Sequence, residues 1–394
     1  MTLNTLETGL LAALIFCFIA QLLFYWVVLA KPYYCMRSFA KKRNNLQNTW
    51  EQPPVSVIIS INKLNHDMLR VLPEILEQEY PVFEVIVITD GISDTDEEML
   101  ERMKNNYPHL YSTHVPDDTK NISRKKLALT LGIKAARYDK LLFTESDSRT
   151  RTKDWISLMA RHFSDKKSIV LGFSAFKNTK GLSHKYIAYD YFVSNLQMLS
   201  FALFNYPYAG NGRNMAYSKT HFIEQKGFVK YRILQHGEDD LFINEIATGE
   251  NTAVELSPAS VTLTETSDLY EWRQQKIDRT ITKHFYKRGP VAFWRLESYI
   301  RIGFIAALIA CFIYGLPYIS PTDFLLPGIA LLCLVVQLTS QFIVINKTTN
   351  KLQLEKYYLT ILLFDLFQPF VNLYFYIYRI LKGKENYTYR YEKR

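Results

Sequence analysis

"KLLFTESDSRT", Lys140 to Thr150, begins like a buried strand and ends in charge: Leu141-Leu142-Phe143 run straight into Thr144-Glu145-Ser146-Asp147. Residues i and i+2 of an extended strand point the same way, so Glu145 and Asp147 are expected to face one spot. Two like charges aimed at one place are costly unless something positive sits between them. A solvated loop after a strand is the plainer alternative, and the flanking sequence has to decide.

Upstream lie two short runs rich in β-branched residues, "VSVIISI" (Val55 to Ile61) and "FEVIVIT" (Phe83 to Thr89), with a further strand expected over Tyr111 to Val115. Helices are expected over Asp67 to Glu79, Asp96 to Asn106 and Ser123 to Arg137. Strands alternating with helices imply a parallel α/β sheet, whose ligands bind outside the carboxyl ends of the strands. The run Phe83 to Thr89 ends in Asp90, so two strands deliver carboxylates to one rim, although Asp-Gly is also a common turn dipeptide. A third acidic cluster, Glu238, Asp239 and Asp240 of "HGEDDLFINEIA", stands where a helix should begin. Acids suit that position through the helix macrodipole, but three in a row exceed what capping needs.

The chain of 394 residues is 48% hydrophobic, with 27 Tyr and 25 Phe, an aromatic weight common near membrane interfaces. Gly9 to Ala30 is an uncharged apolar run of 22 residues, and a spanning helix needs roughly 20. No Lys or Arg precedes the run, which argues for a retained anchor over a signal peptide. Lys31, Lys41, Lys42 and Arg43 follow it, so the positive-inside rule puts the next segment in the cytoplasm. Two more spans, Ile302 to Ile319 and Phe324 to Ile345, form an expected hairpin with Pro321 in its turn. A last apolar run, Tyr358 to Leu381, is interrupted by Asp365, Gln368, Pro369 and Asn372. It either spans or breaks at Pro369 into a re-entrant hairpin, and the basic tail after it favours the hairpin.

The expected organisation is an anchor (1–30), a linker (31–52), an α/β domain (53–282), an amphipathic interface segment (283–301), the hairpin (302–345), and the last apolar segment with a basic tail (346–394). Lys and Arg exceed Asp and Glu by 47 to 38, a net charge of +9 that suits an anionic lipid surface or substrate. Nucleic acid is not indicated, since no zinc-finger spacing, RNP motif or basic helix occurs. Cys17, Cys35, Cys311 and Cys333 form no C-x-x-C pair, so neither a disulfide framework nor a zinc site is expected. No pattern speaks to oligomeric state.

In order and spacing, "VSVIIS", "YPVFEVIVITDGISD", "KKLALTLGIKAA", "LLFTESDS" with Trp155 following, "YAGNGRNMAYSK" and "GEDDLF" resemble the membrane-anchored bacterial form of the family 2 glycosyltransferases, over about Pro53 to Lys287. The resemblance implies a GT-A fold, Rossmann-like and specialised for nucleotide-diphospho-sugars. It implies that Asp90 contacts the nucleotide base or ribose and that Lys125 lies near the donor's nucleotide and phosphates; Lys126 beside it reads as part of a solvated helix face. Glu145 and Asp147 would stand for the metal-binding D-x-D, holding Mg2+ or Mn2+. Asp239 would be the catalytic base, with Glu238 beside it in the catalytic pair and acting on acceptor placement, while Asp240, at the helix start, and Gln275 would belong to the substrate-binding set. Gly210, Gly212, Arg213 and Asn214 would line the donor and acceptor pocket, although Arg213 also reads as a surface ion pair.

Three departures from the family pattern stand out. The first D-x-D acid is Glu145, and the usual Asn-Glu after the first strand is replaced by "SINKLNH". The Q-x-x-R-W motif is reduced to "QQKIDRT": Gln275 is present, Asp278 occupies the Arg position, and Arg279 comes one later. Loss of that motif weakens the case for a processive synthase. The resulting expectation is an inverting, metal-dependent transferase using a nucleotide-sugar donor and a lipid-linked or polysaccharide acceptor, at the cytoplasmic face of a bacterial inner membrane among its lipids. The alternative is a catalytically silent relative serving as a membrane scaffold or binding subunit.

Overall fold

The computed structural model describes residues 5–42, 52–61, 66–91, 94–116, 123–177, 180–232, 234–265, 268–315 and 325–382; for 39–42, 66–70, 94, 96, 315 and 382 it describes the backbone alone. The expected linker beyond residue 42 and the turn with Pro321 lie largely outside these residues. The chain divides into two compact units, one from residues 1–37 and 287–374, the other from 38–286 and 375–394.

The elements run in chain order as α1 (Thr5–Leu23), a π-helical turn (Phe24–Leu29), α2 (Lys31–Lys42), β1 (Val55–Ile61), α3 (His66–Leu76), β2 (Phe83–Thr89), α4 (Asp94–Asn106), β3 (Leu110–His114), α5 (Arg124–Ala135) and β4 (Lys140–Phe143). Then come β5 (Ser148–Thr150), α6 (Trp155–Ala160), β6 (Ile169–Leu171), β7 (Ser174–Phe176), α7 (Leu182–Leu203), β8 (Met215–Ser218), α8 (Lys219–Glu224), α9 (Asp240–Ile246), β9 (Thr252–Val254) and β10 (Thr262–Thr264). Four more helices close the chain: α10 (Leu269–Thr282), α11 (Arg288–Gly315), α12 (Leu325–Lys351) and α13 (Thr360–Lys382).

In the larger unit seven strands are ordered β3-β2-β1-β4-β8-β6-β9. The first four are mutually parallel, as the alternation of strands and helices predicts. Their apolar runs are nearly continuous because a parallel strand is covered on both faces. Val57, Ile59, Val85 and Val87 pack with Ile75 and Trp155 in one core. β8 enters antiparallel to β4, with Met215 opposite Phe143. That reversal brings the segment just before β8 to the carboxyl end of β4. A second sheet, β5-β10-β7, begins at Ser148, directly after Asp147.

In the other unit, α1, α11 and α12 share an apolar core of Leu14, Phe304, Leu308, Cys311, Leu326 and Ala330. Four helical stretches, Thr5–Ser38, Arg288–Tyr314, Leu325–Lys351 and Thr360–Leu381, are long and apolar enough to cross a membrane. From Arg288 to Gly315 the expected interface segment and first hairpin span run as one helix, α11. α13 passes through Pro369 without breaking, so the expected re-entrant hairpin does not form. Of the polar residues that suggested a break, Asp365 and Gln368 are turned inward, while Asn372 is exposed. Buried Asp365 accepts from Tyr25 Oη at 2.5 Å, Gln341 Nε2 at 2.7 Å and Arg301 Nη1 at 3.0 Å. Arg301 also donates to Glu297 at 2.8 Å. Charges among apolar helices persist when they are paired in this way. The four cysteines are free thiols.

Candidate active site

The segments after β2 and β4, those before β8 and α9, and the start of α5 converge at the carboxyl rim of the parallel strands. Asp90 follows β2, and its amide donates to Ile61 O at 2.7 Å, which ties it to the end of β1. Its carboxylate is held by Arg124, with Nε at 2.6 Å and Nη2 at 2.5 Å. Arg124 opens α5 and is a site residue that no motif in the sequence marks, although it directly precedes Lys125.

Glu145 and Asp147 do converge, but not as strand neighbours. The chain turns between them, with Ser148 N donating to Glu145 O at 3.0 Å. What joins them is the positive charge that like charges require. The buried Arg213 lies 3.1 Å from Glu145 Oε2 and 2.8 Å from Asp147 Oδ2, so it is no ordinary surface ion pair. Its side chain lies near the rings of Phe176 and Tyr191, 5.6 and 5.9 Å from their centroids. Lys125 Nζ bridges Glu145 Oε1 and Glu238 Oε1, each at 2.9 Å. Burial alone would raise the Glu145 pKa, but Arg213, Lys125 and Arg279 overrule it and hold the group at about 2. Burial would likewise depress the Lys125 ammonium, and Glu145, Glu238 and Asp239 reverse that effect and hold it well above its usual range.

Asp239 caps α9. Its Oδ1 accepts from Asp240 N at 2.7 Å and its Oδ2 from Gly212 N at 3.0 Å. A Cβ added at Gly212 would stand 3.5 Å from both Asp239 Oδ2 and Glu145 Oε1. Gly212 thus leaves a small gap onto which the two acids face. Asp240 points elsewhere, accepting from Thr282 Oγ1 at 2.5 Å and Tyr286 Oη at 2.6 Å. Burial and the neighbouring Asp239 push its pKa up to about 6.

Several residues fall differently from expectation. Lys126 is 0% exposed, not solvated, and donates to the carbonyls of Tyr231, Leu234 and His236 at 2.8, 2.6 and 2.9 Å. Burial lowers its pKa to about 8. It anchors the loop that leads through Gly237, whose φ of +108° strains any L side chain, into Glu238. Gly210 serves packing: a Cβ there would meet Ile243 Cγ1 at 2.6 Å. Asn214 is buried and committed internally, donating to Phe173 O and Ser260 O at 2.8 Å and accepting from Trp155 Nε1 at 3.1 Å. Of the four residues named in that segment, only Gly212 and Arg213 touch the acids.

No described contact links half-buried Gln275 to the cluster. Arg279, one turn along α10, does act there: it lies 5.3 Å from the Tyr191 ring centroid and feels Asp239 and Asp240. Asp278, in the expected Arg position, pairs with His236 at 3.2 Å.

Among the described residues, no group of three or more His, Cys, Asp or Glu is gathered to hold a metal by protein ligands alone. The donor set still fits a hard cation of the Mg2+ type, which takes one or two carboxylates and completes its shell with water and phosphate. Glu145 is kept ionised, Asp147 is part-exposed, the Gly212 gap is adjacent, and the buried Glu238 Oε2 has no hydrogen-bond partner.

Carboxylates, cations and a glycine gap on the carboxyl rim of this α/β sheet, with apolar helices at both ends of the chain, are compatible with a membrane-associated glycosyltransferase of the GT-A fold, and the comparisons with known proteins bear out that class. The model of glycosyl transferase family 21 matches residues 22–382, so the chain belongs to that family. The resemblance in the sequence named family 2, a distinct family; glycosyltransferase is what the two share. No curated protein gives a significant sequence match. Among solved structures, the mannosyltransferase PcManGT from Pyrobaculum calidifontis, in complex with GDP-Man and Mn2+, is similar at 19% identity and a TM-score of 0.50, over 88% of this chain and 99% of that one. At that identity the likeness speaks for the fold. Residues 1–349 of S. aureus TarS align at 13% identity and a TM-score of 0.39, over 86% and 98% of the two chains.

Proposed function

We propose that this chain moves a sugar, with inversion, from a nucleotide-sugar donor to a membrane-associated acceptor, lipid-linked or polysaccharide, at the cytoplasmic face of a bacterial inner membrane. The observation that carries the reading is the gap at Gly212, onto which Asp239 Oδ2 and Glu145 Oε1 both face.

In this reading Asp90 and Arg124 receive the nucleoside. Lys125 and Arg213 are shared between the acids and the donor diphosphate, with Arg279 adding positive charge. Glu145 and Asp147 would hold Mg2+ or Mn2+, which when bound neutralises the leaving diphosphate. Asp239 takes the proton from the acceptor hydroxyl, and direct attack opposite the leaving group inverts the anomeric centre. Glu238, fixed by Lys125, keeps the acceptor side in place, and Asp240 holds α10 through Thr282 and Tyr286. The GDP-Man and Mn2+ bound by the similar mannosyltransferase support a nucleotide-sugar donor and a divalent cation. The charge that follows the first span supports the orientation.

The test is binding of nucleoside diphosphates and nucleotide-sugars to the purified full-length protein with and without Mg2+ or Mn2+, followed by transfer to extracted lipids. Metal-dependent binding, abolished in Asp147→Ala with the fold intact, is expected. No metal-dependent binding in the wild type would instead favour the silent scaffold.

A further inference from the structure

The acidic site leaves unexplained a second cavity, of about 190 Å³, in the unit built from the apolar helices. One wall is a helical stripe of Trp26, Ala30, Tyr33, Tyr34 and Arg37, and the other is Ile343, Val344 and Lys347 of α12. The two walls come from the ends of two candidate spans, at the point where each turns from apolar to basic. Aromatic rings beside cations are the composition of the level where hydrocarbon meets headgroups.

Arg37 and Lys347 enter this cavity without a carboxylate partner among the described residues. The contrast with the rest of the unit is sharp, since Arg301 is paired with both Glu297 and Asp365. The backbone is also unusual here. Phe24–Leu29 forms a π-helical turn, closed by Ala30 N donating to Tyr25 O at 2.9 Å. Such turns are rare and recur at functional sites. Across it Tyr25 faces inward to Asp365 while Trp26 stays 37% exposed on the cavity wall.

We propose that this cavity binds the phosphate headgroup of an anionic membrane phospholipid, with Arg37 and Lys347 on the phosphate and Trp26, Tyr33 and Tyr34 against the glycerol and upper acyl chain. Basic pockets between membrane helices take anionic headgroups for this reason. A soluble anion would leave the aromatic wall without a partner, which favours the lipid.

The test is lipid retention by the purified full-length protein in detergent, read by native mass spectrometry with phosphatidylglycerol, phosphatidylcholine or inorganic phosphate added. Phosphatidylglycerol should be retained over phosphatidylcholine. The double variant Arg37→Gln, Lys347→Gln should lose about 30-fold in retention, roughly fivefold for each cation. The charge-preserving Arg37→Lys, Lys347→Arg should keep the preference. Equal retention of both lipids by the wild type overturns the proposal, as does undiminished phosphatidylglycerol binding in a folded Gln variant. Displacement of the lipid by millimolar phosphate would make this a soluble-anion site and overturn the lipid assignment. If the Gln variant does not fold, the wild-type comparison of the two lipids decides by itself.

Discussion

The amide of Gly212 donates to Asp239 Oδ2 at 3.0 Å, so the candidate base is aimed by the backbone that precedes β8. Its other oxygen accepts from Asp240 N. Asp239→Asn must therefore turn an NH2 group toward one of two N–H donors, and it also loses the ability to take a proton. Transfer should fall by about 10² to 10⁴ while donor binding persists. Measuring turnover and donor affinity separately checks this. Near-normal turnover in Asp239→Asn with loss in Asp240→Asn would move the base one position along the chain.

Gly212→Ala tests the gap itself. A contact of 3.5 Å is ordinary van der Waals distance, so the melting temperature should barely change. The methyl group would still occupy the space between Asp239 and Glu145. Nucleotide-sugar affinity and turnover should both drop, and a fully active Ala variant would show that nothing passes through the gap.

Glu145→Asp looks conservative beside the usual D-x-D, yet the geometry predicts a cost. Glu145 reaches Lys125 with one oxygen at 2.9 Å and Arg213 with the other at 3.1 Å. A side chain one methylene shorter cannot keep both. Donor affinity should weaken, and its metal dependence should shift. Unchanged metal titration curves would count against a metal-holding role.

Lys126→Met should destabilise the fold more than Lys125→Met. Removing the ammonium leaves the carbonyls of Leu234 and His236 without their donor, while Tyr231 O keeps the amide of Leu234 at 3.0 Å, and each orphaned buried group costs about 1–3 kcal/mol. Thermal melting of the two variants compares them directly. Equal melting temperatures would mean that the loop before Glu238 is held by something else.

Asp240 imposes a pH dependence whose sign can be worked out. Its folded pKa of about 6 lies above the ordinary aspartate value of 3.8, so between these values the native state holds more protons than the unfolded chain. Stability contributed by this group is present at about pH 4 and is lost as pH rises through 6. Asp240→Asn removes the dependence, so its melting temperature should gain on the wild type between pH 4 and 7. Parallel curves would assign the titration to another group.

Several parts of this molecule are legible in the sequence by itself. The β-branched runs from Val55 and Phe83, alternating with helices, are enough for a parallel sheet, because period and connection length constrain it locally. Acids placed just after apolar runs, such as Asp90 and Glu145, identify the carboxyl rim for the same reason. The first three apolar stretches announce themselves by length alone; the last does not, because Asp365, Gln368, Pro369 and Asn372 interrupt it.

Tertiary structure decided the rest. Glu145 and Asp147 come together through a turn and the reach of Arg213, not through strand alternation. Arg213 is there because β8 runs antiparallel to β4, a pairing between segments some 70 residues apart that no local period encodes. Lys125 and Lys126 are adjacent in sequence and chemically alike. One α-helical step of about 100° sends one to the acids and the other to three carbonyls. Asp365, a break in an apolar run when read along the chain, is a buried acceptor once Tyr25, Arg301 and Gln341 surround it. A side chain's neighbours in space set whether its charge is a cost or a function, and those neighbours exist only once the chain has folded.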